Sequence, residues 1–134
     1  MIGVLIVTHG DIGTSLLQSA SQILGGAQEQ VATLSVWRAD DLDDLVLRAR
    51  ELMESLDSGD GVLVLTDIFG ATPGNVVSRL LEDGRIEGVS GVSLPMLLRV
   101  LTGRNGSLAG AVQRALSGGT EGLVHMNTDR CLDA

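Results

Sequence analysis

The sequence predicts a doubly wound α/β fold, a mainly parallel sheet with helices packed on both of its faces. Three observations lead there. Short aliphatic runs alternate with longer stretches whose apolar residues recur at spacings of three and four, and strands separated by helices pair in parallel through right-handed crossovers. The 44% apolar share rests on Val, Leu, Ile and Ala, with one Phe, one Trp and no Tyr, so the core must be aliphatic. A chain of 134 residues is also long enough to bury one such core and too short for two, which makes residues 1–134 a single domain.

The elements follow in order. "GVLIVTH" (3–9) is a strand, and after Gly10 and Gly13 the stretch 14–26 places Leu16, Leu17, Ala20, Ile23 and Leu24 on one helical face, with Gly25 able to end it. "VATLSV" (31–36) is a second strand, followed within 39–59 by a helix whose inward positions are Leu42, Leu45, Ala49, Leu52, Met53 and Leu56. Asp40 or Asp41 supplies its N-cap, and the surrounding aspartates form a solvated helix start. "GVLVLTD" (61–67) is the most apolar strand; the loop 68–72 leads into a helix opened by Pro73, with Val76, Val77, Leu80 and Leu81 inward. A fourth strand is predicted over 87–93, helices within 94–103 and 107–119, and a last short strand over 120–128.

Composition removes several classes of function. Net charge is −8 and no basic cluster interrupts it, which with one Phe and one Trp argues against nucleic acid as a partner. The chain contains no lysine, which excludes a Walker A loop, a pyridoxal-phosphate Schiff base and lysine-based aldol chemistry. Neither G-x-G-x-x-G nor G-x-S-x-G occurs. The histidines at 9 and 125 and the lone Cys131 make a poor metal set and no disulfide, so no metal or cofactor is expected, and the cysteine usage suits a reducing cytoplasm. His125 is read as a structural or surface residue. The apolar start "MIGVLIVTHG" has no basic n-region and is too short to span a bilayer, so no direct membrane insertion is expected.

In a doubly wound sheet the ligand crevice lies beyond the carboxyl ends of the strands. His9 ends the first strand and Asp67 the third, so both belong on that rim. Gly10 and Gly13 permit a tight turn and close backbone approach, and Thr72 with Pro73 marks a helix N-terminus, where free N–H groups favour an anion. A histidine, a carboxylate and an anion-ready helix end suit phosphate held on or near the imidazole. T-H-G by itself is a weak motif, and Asp67 has a plainer reading as a cap of the loop before Pro73.

A wider pattern carries more weight: "VTHG" (7–10), "GVLVLTDIFGATPGNVVSRL" (61–80) and "GVSLPMLLRVL" (91–101). With these blocks nearly the whole chain resembles the IIA domain of the mannose family of the bacterial phosphoenolpyruvate-dependent sugar phosphotransferase system. The resemblance implies a phosphotransferase in which His9 is phosphorylated by the carrier protein HPr and passes the group to a IIB subunit or domain. It implies that Asp67 hydrogen-bonds the other imidazole nitrogen, that Thr72 contacts the phosphoryl group, and that Gly10, Gly70 and Ala71 line the phosphoryl-binding turn. It further implies a cytoplasmic homodimer that exchanges the C-terminal strand and associates, through its system, with a membrane permease complex. Ala71 stands where a second glycine is common, and Ser93 where Asn often precedes Leu-Pro. Two other readings share the chemistry: a regulatory module whose His9 phosphorylation signals nutrient supply without transport, and the phosphotransfer subunit of a dihydroxyacetone kinase, whose aspartate precedes a Leu-Gly-Ser type block rather than "DIFGATPGN".

Overall fold

The computed structural model describes residues 1–128. Nine elements follow one another: β1 (Gly3–His9), α1 (Ile12–Leu24), β2 (Val31–Val36), α2 (Leu42–Leu56), β3 (Val62–Thr66), α3 (Thr72–Leu80), β4 (Ile86–Ser90), α4 (Leu94–Leu101) and α5 (Leu108–Glu121). The four strands are all parallel and lie in the order β2-β1-β3-β4. The chain therefore moves outward from β1 to β2, then crosses back over β1 to β3, and the direction of winding reverses between β1 and β3. That reversal is the position at which open α/β sheets form their ligand crevice.

Strand alternation divides the core into two layers. Val4, Ile6, Leu63 and Leu65 pack with Leu97, Val100, Leu101, Ala111 and Ala115 beneath α4 and α5, joined by Ala20 of α1. Leu5, Val7, Val62 and Val64 point the other way, onto Leu45, Ala49 and Met53 of α2 and Val76, Val77 and Leu80 of α3. Because both faces are covered, β1 and β3 read as continuous apolar runs rather than alternating ones.

The helix termini are fixed locally. Asp41 accepts from the Asp44 N–H at 3.2 Å and caps α2, while Asp40 accepts from the Trp37 N–H at 2.8 Å and holds the turn before it. Ser93 and Ser107 cap α4 and α5 in the same way, through the Met96 and Gly110 N–H groups. Ser93 is thus a helix cap.

The structure corrects the sequence reading in four places. Ile23 and Leu81 are exposed, because each lies at the edge of its helix's apolar stripe close to the terminus. β4 ends at Ser90 rather than 93: Gly91 turns the chain, and Val92 donates to the Thr66 carbonyl at 3.0 Å. No strand forms over 120–128. There α5 continues to Glu121, and Leu123, Val124 and Met126 that follow are exposed. The helix persists through Gly118 because α4 and α5 approach closely there: a Cβ on Gly118 would lie 2.8 Å from the Arg99 Cβ and 3.2 Å from the Met96 Cα. Cys131 lies outside the described residues. No helix among the described residues is long and apolar enough to cross a membrane.

Candidate functional site

The ends of β1 and β3 meet at the point where the winding reverses, and their two polar residues join. His9 Nδ1 lies 2.8 Å from Asp67 Oδ2, and the same oxygen accepts from the His9 backbone N–H at 3.1 Å. The other carboxylate oxygen accepts from the Ile68 N–H at 3.0 Å and from the Thr66 hydroxyl at 3.4 Å. Asp67 is thereby fixed on both oxygens. Partial burial favours its protonated form, but the ring and backbone N–H groups of His9 outweigh that and hold the carboxyl below the ordinary aspartate range.

The consequence for the imidazole is a defined tautomer. An ionised carboxylate only accepts, so Nδ1 carries the proton, and in the neutral ring the lone pair is then on Nε2. The His9 side chain is 49% exposed, so that nitrogen is carried on a ring accessible from outside the protein. A ring held this way presents one nitrogen lone pair in a fixed direction.

The turn after His9 is built for this. Gly10 has φ +47° and its N–H donates to the Val36 carbonyl at 2.9 Å, which ties the turn to the end of β2. A Cβ at Gly10 would come 3.2 Å from the Trp37 ring, which would have to give way slightly, and the positive φ itself favours glycine. Thr8, buried beneath, accepts from the Gly13 N–H at 2.8 Å and locks the start of α1 to the strand. A Cβ on Gly13 would lie only 3.0 Å from the Ile6 Cγ2 and 3.1 Å from the Thr8 Oγ1.

Gly70, Ala71 and Thr72 lie in the turn from Asp67 into α3. Gly70 is exposed at φ +91°, Ala71 is the N-cap residue, and Thr72 is the exposed first residue of the helix. Neither α1 nor α3 receives a side-chain cap from its own N-cap residue or carries an acidic residue in its first turn, whereas α2, α4 and α5 are each capped. Of the two helices that begin beside His9 and Asp67, α3 has an uncharged N-cap in Ala71 and leaves its first N–H groups without a side-chain cap from that residue, which suits an anion, whereas α1 starts at the carboxylate of Asp11.

Three contributors escaped the sequence reading. Thr8 belongs to the quoted T-H-G, yet nothing in the string says that its hydroxyl serves α1. The Ile68 N–H is a backbone group, and Trp37 comes into play only once β2 is known to flank β1. His125 is exposed and far along the chain from both strand ends, with Nδ1 3.2 Å from the Thr128 hydroxyl.

Comparison with known proteins points the same way as the geometry. A family model described as EIIA-man, the PTS system fructose IIA component, matches residues 3–116. The PTS system mannose-specific EIIAB component of Escherichia coli (strain K12) is 33% identical over 125 residues, 91% of this chain but only 38% of that protein's length. The PTS system fructose-specific EIIA component of Bacillus subtilis (strain 168) is 33% identical over 103 residues, 76% of this chain and 70% of the relative. Among solved structures, phosphotransferase system component EIIA from Streptococcus agalactiae superposes with a TM-score of 0.84 at 28% identity, covering 96% of this chain and 99% of its own.

Proposed function

The chain belongs to the EIIA-man family of phosphotransferase-system IIA components, and on that premise we propose that it is a phosphoryl relay in which His9 accepts the group from phosphorylated HPr and hands it to a IIB component of a mannose-family sugar transport system. The observation that carries the reading is the 2.8 Å contact between His9 Nδ1 and Asp67. In the forward step Nε2 attacks phosphorus in line with the N–P bond of the donor phosphohistidine, which breaks as the new N–P bond forms. A donor ring protonated on its other nitrogen leaves as neutral imidazole. His9 becomes a phosphorylated imidazolium whose charge Asp67 offsets, so no proton has to move. The Thr72 hydroxyl and the N–H groups opening α3 are assigned to the transferred oxygens, with Gly10, Gly70 and Ala71 giving them room. A histidine suits a relay because its phosphoramidate is made and broken readily, where a serine ester would trap the group.

As one cytoplasmic domain spanning residues 1–134, the protein would meet its permease complex through the IIB component. The exposed Leu116, Leu123, Val124 and Met126 support a homodimer in which the segment after α5 finds its partner on a second copy.

Incubation with phosphoenolpyruvate, enzyme I, HPr and magnesium, the last required by enzyme I, tests the reading. A label that is acid-labile and alkali-stable, absent from His9→Ala and retained in His125→Ala, is expected. Added IIB should then discharge it. An acid-stable label, or one that outlives His9, refutes the assignment.

A further inference from the structure

Trp37, the one tryptophan of the chain, is 54% exposed, yet one edge of its indole is in use. It covers the face of Gly10 from which a side chain would project: a Cβ there would come 3.2 Å from Cζ3, 3.4 Å from Cη2 and 3.9 Å from Cε3. Gly10 therefore meets the benzene ring of the indole rather than its N–H. The backbone beneath the ring is fixed as well, since Asp40 accepts from the Trp37 N–H at 2.8 Å and donates its own N–H to the Trp37 carbonyl at 3.0 Å. Trp37 belongs to neither apolar layer of the core. Its packing is local, and what it packs on is the turn that follows His9.

That turn is the less secured side of the histidine. On the other side Asp67 takes both the His9 backbone N–H and Nδ1. Past His9 the Gly10 N–H is tied to the Val36 carbonyl at 2.9 Å, and the chain then turns through a positive φ of +47°. A glycine leaves such a conformation readily, because without a Cβ it meets few steric limits. The indole packed against it restricts that freedom. Any movement of the turn swings the imidazole with it, and a misplacement of about 1 Å at a reacting atom can cost on the order of 100-fold in rate.

Resting on the relay reading, we propose that Trp37 is a positioning residue for the phosphoryl acceptor: its ring holds the Gly10 turn, and the turn keeps Nε2 on the line of attack. Trp37 needs no contact with the phosphoryl group to do this. It acts through Gly10 alone.

The test follows single-turnover labelling of His9 by phosphorylated HPr over a range of donor concentrations, in the parent, Trp37→Ala and Trp37→Phe. The maximal rate in Trp37→Ala should fall about tenfold, with the half-saturating donor concentration unchanged. Trp37→Phe keeps a six-membered ring and should recover most of the loss. Hydrogen exchange of the same proteins supplies a readout that does not depend on transfer: the Gly10 amide should exchange faster in Trp37→Ala while the amides within β1 keep the parent's protection. An unchanged maximal rate overturns the proposal. So does a change confined to the half-saturating concentration, because the ring would then be meeting the donor, and so does faster exchange throughout β1, because the ring would then be supporting the whole fold. Failure of the parent to be labelled on His9 removes the relay instead, and the Gly10 exchange then decides by itself whether the ring holds the turn.

Discussion

Replacing Asp67 separates orientation of the imidazole from its nucleophilicity. Asp67→Ala removes the acceptor 2.8 Å from Nδ1, freeing the ring to rotate and to place its proton on either nitrogen. A hydrogen bond to a charged group contributes about 1.5–3 kcal/mol, which corresponds to roughly 10- to 150-fold in rate if it is lost only in the transition state. The same change strips acceptors from the His9 and Ile68 N–H groups, both near the surface, where water replaces them. The cost in folding stability should therefore stay near 1 kcal/mol. Asp67→Asn is the finer probe, since an amide keeps the shape yet offers Nδ1 either a donor or an acceptor and no charge. The assay is the single-turnover rate of His9 labelling by phospho-HPr, measured with urea unfolding of the same variants. A rate equal to the parent's in both variants, with lowered stability, would show that Asp67 merely caps the loop before α3. The pH dependence gives a second check. The Asp67 carboxyl is held below its ordinary range, so it stays ionised until well into acid. Any loss of labelling rate near neutral pH must come from another group, and it should survive in Asp67→Asn.

Other outcomes test the frame beneath the site. Gly13→Ala places a methyl 3.0 Å from Ile6 and 3.1 Å from Thr8, so α1 must shift away from β1; urea unfolding should show a loss of about 1–3 kcal/mol, and labelling should slow as the His9 turn moves. Asp57 at the far end of the sheet accepts from the Gly59 N–H at 2.8 Å and the Gly61 N–H at 3.1 Å and pairs with Arg85 at 3.5 Å. The Gly59 bond first, then those from Gly61 and Arg85, lower its pKa against the opposing effect of burial. A depressed carboxyl contributes stability above its unfolded value near 3.8 and loses it as pH falls through the lower folded value. Stability of Asp57→Asn should accordingly fall less between pH 7 and pH 3 than that of the parent, as read from urea midpoints; an equal fall would remove Asp57 from the acid response.

The site was legible because its two central residues terminate apolar runs. A reader who sees "VLIVTH" and "VLVLTD" needs only the rule that parallel strands end on one rim to bring His9 and Asp67 to the same edge. Which strands are neighbours is another matter. Alternation of strand and helix is compatible with several strand orders, and only the order β2-β1-β3-β4 sets Asp67 within a hydrogen bond of His9 and Trp37 on the other flank. Three of the four misread segments have one cause in common. Ile23, Leu81 and "GLVHM" each continue a local pattern past the point where the protein has a surface to bury it against.

That limit also explains why apolar residues at the rim escaped notice while the polar ones did not. A histidine at the end of a buried strand conflicts with its surroundings and asks for a reason, whereas Trp37 or Phe69 beside it reads as more core. Exposure turns the inference round. The turn after β1 holds Gly10 against the Trp37 ring, so the backbone that presents Nε2 and the ring that stands beside it are in contact. On the relay reading, a partner that approaches Nε2 meets the turn that carries it, and exchange of a group at that nitrogen gains positional accuracy when the turn is held rigidly by its neighbours.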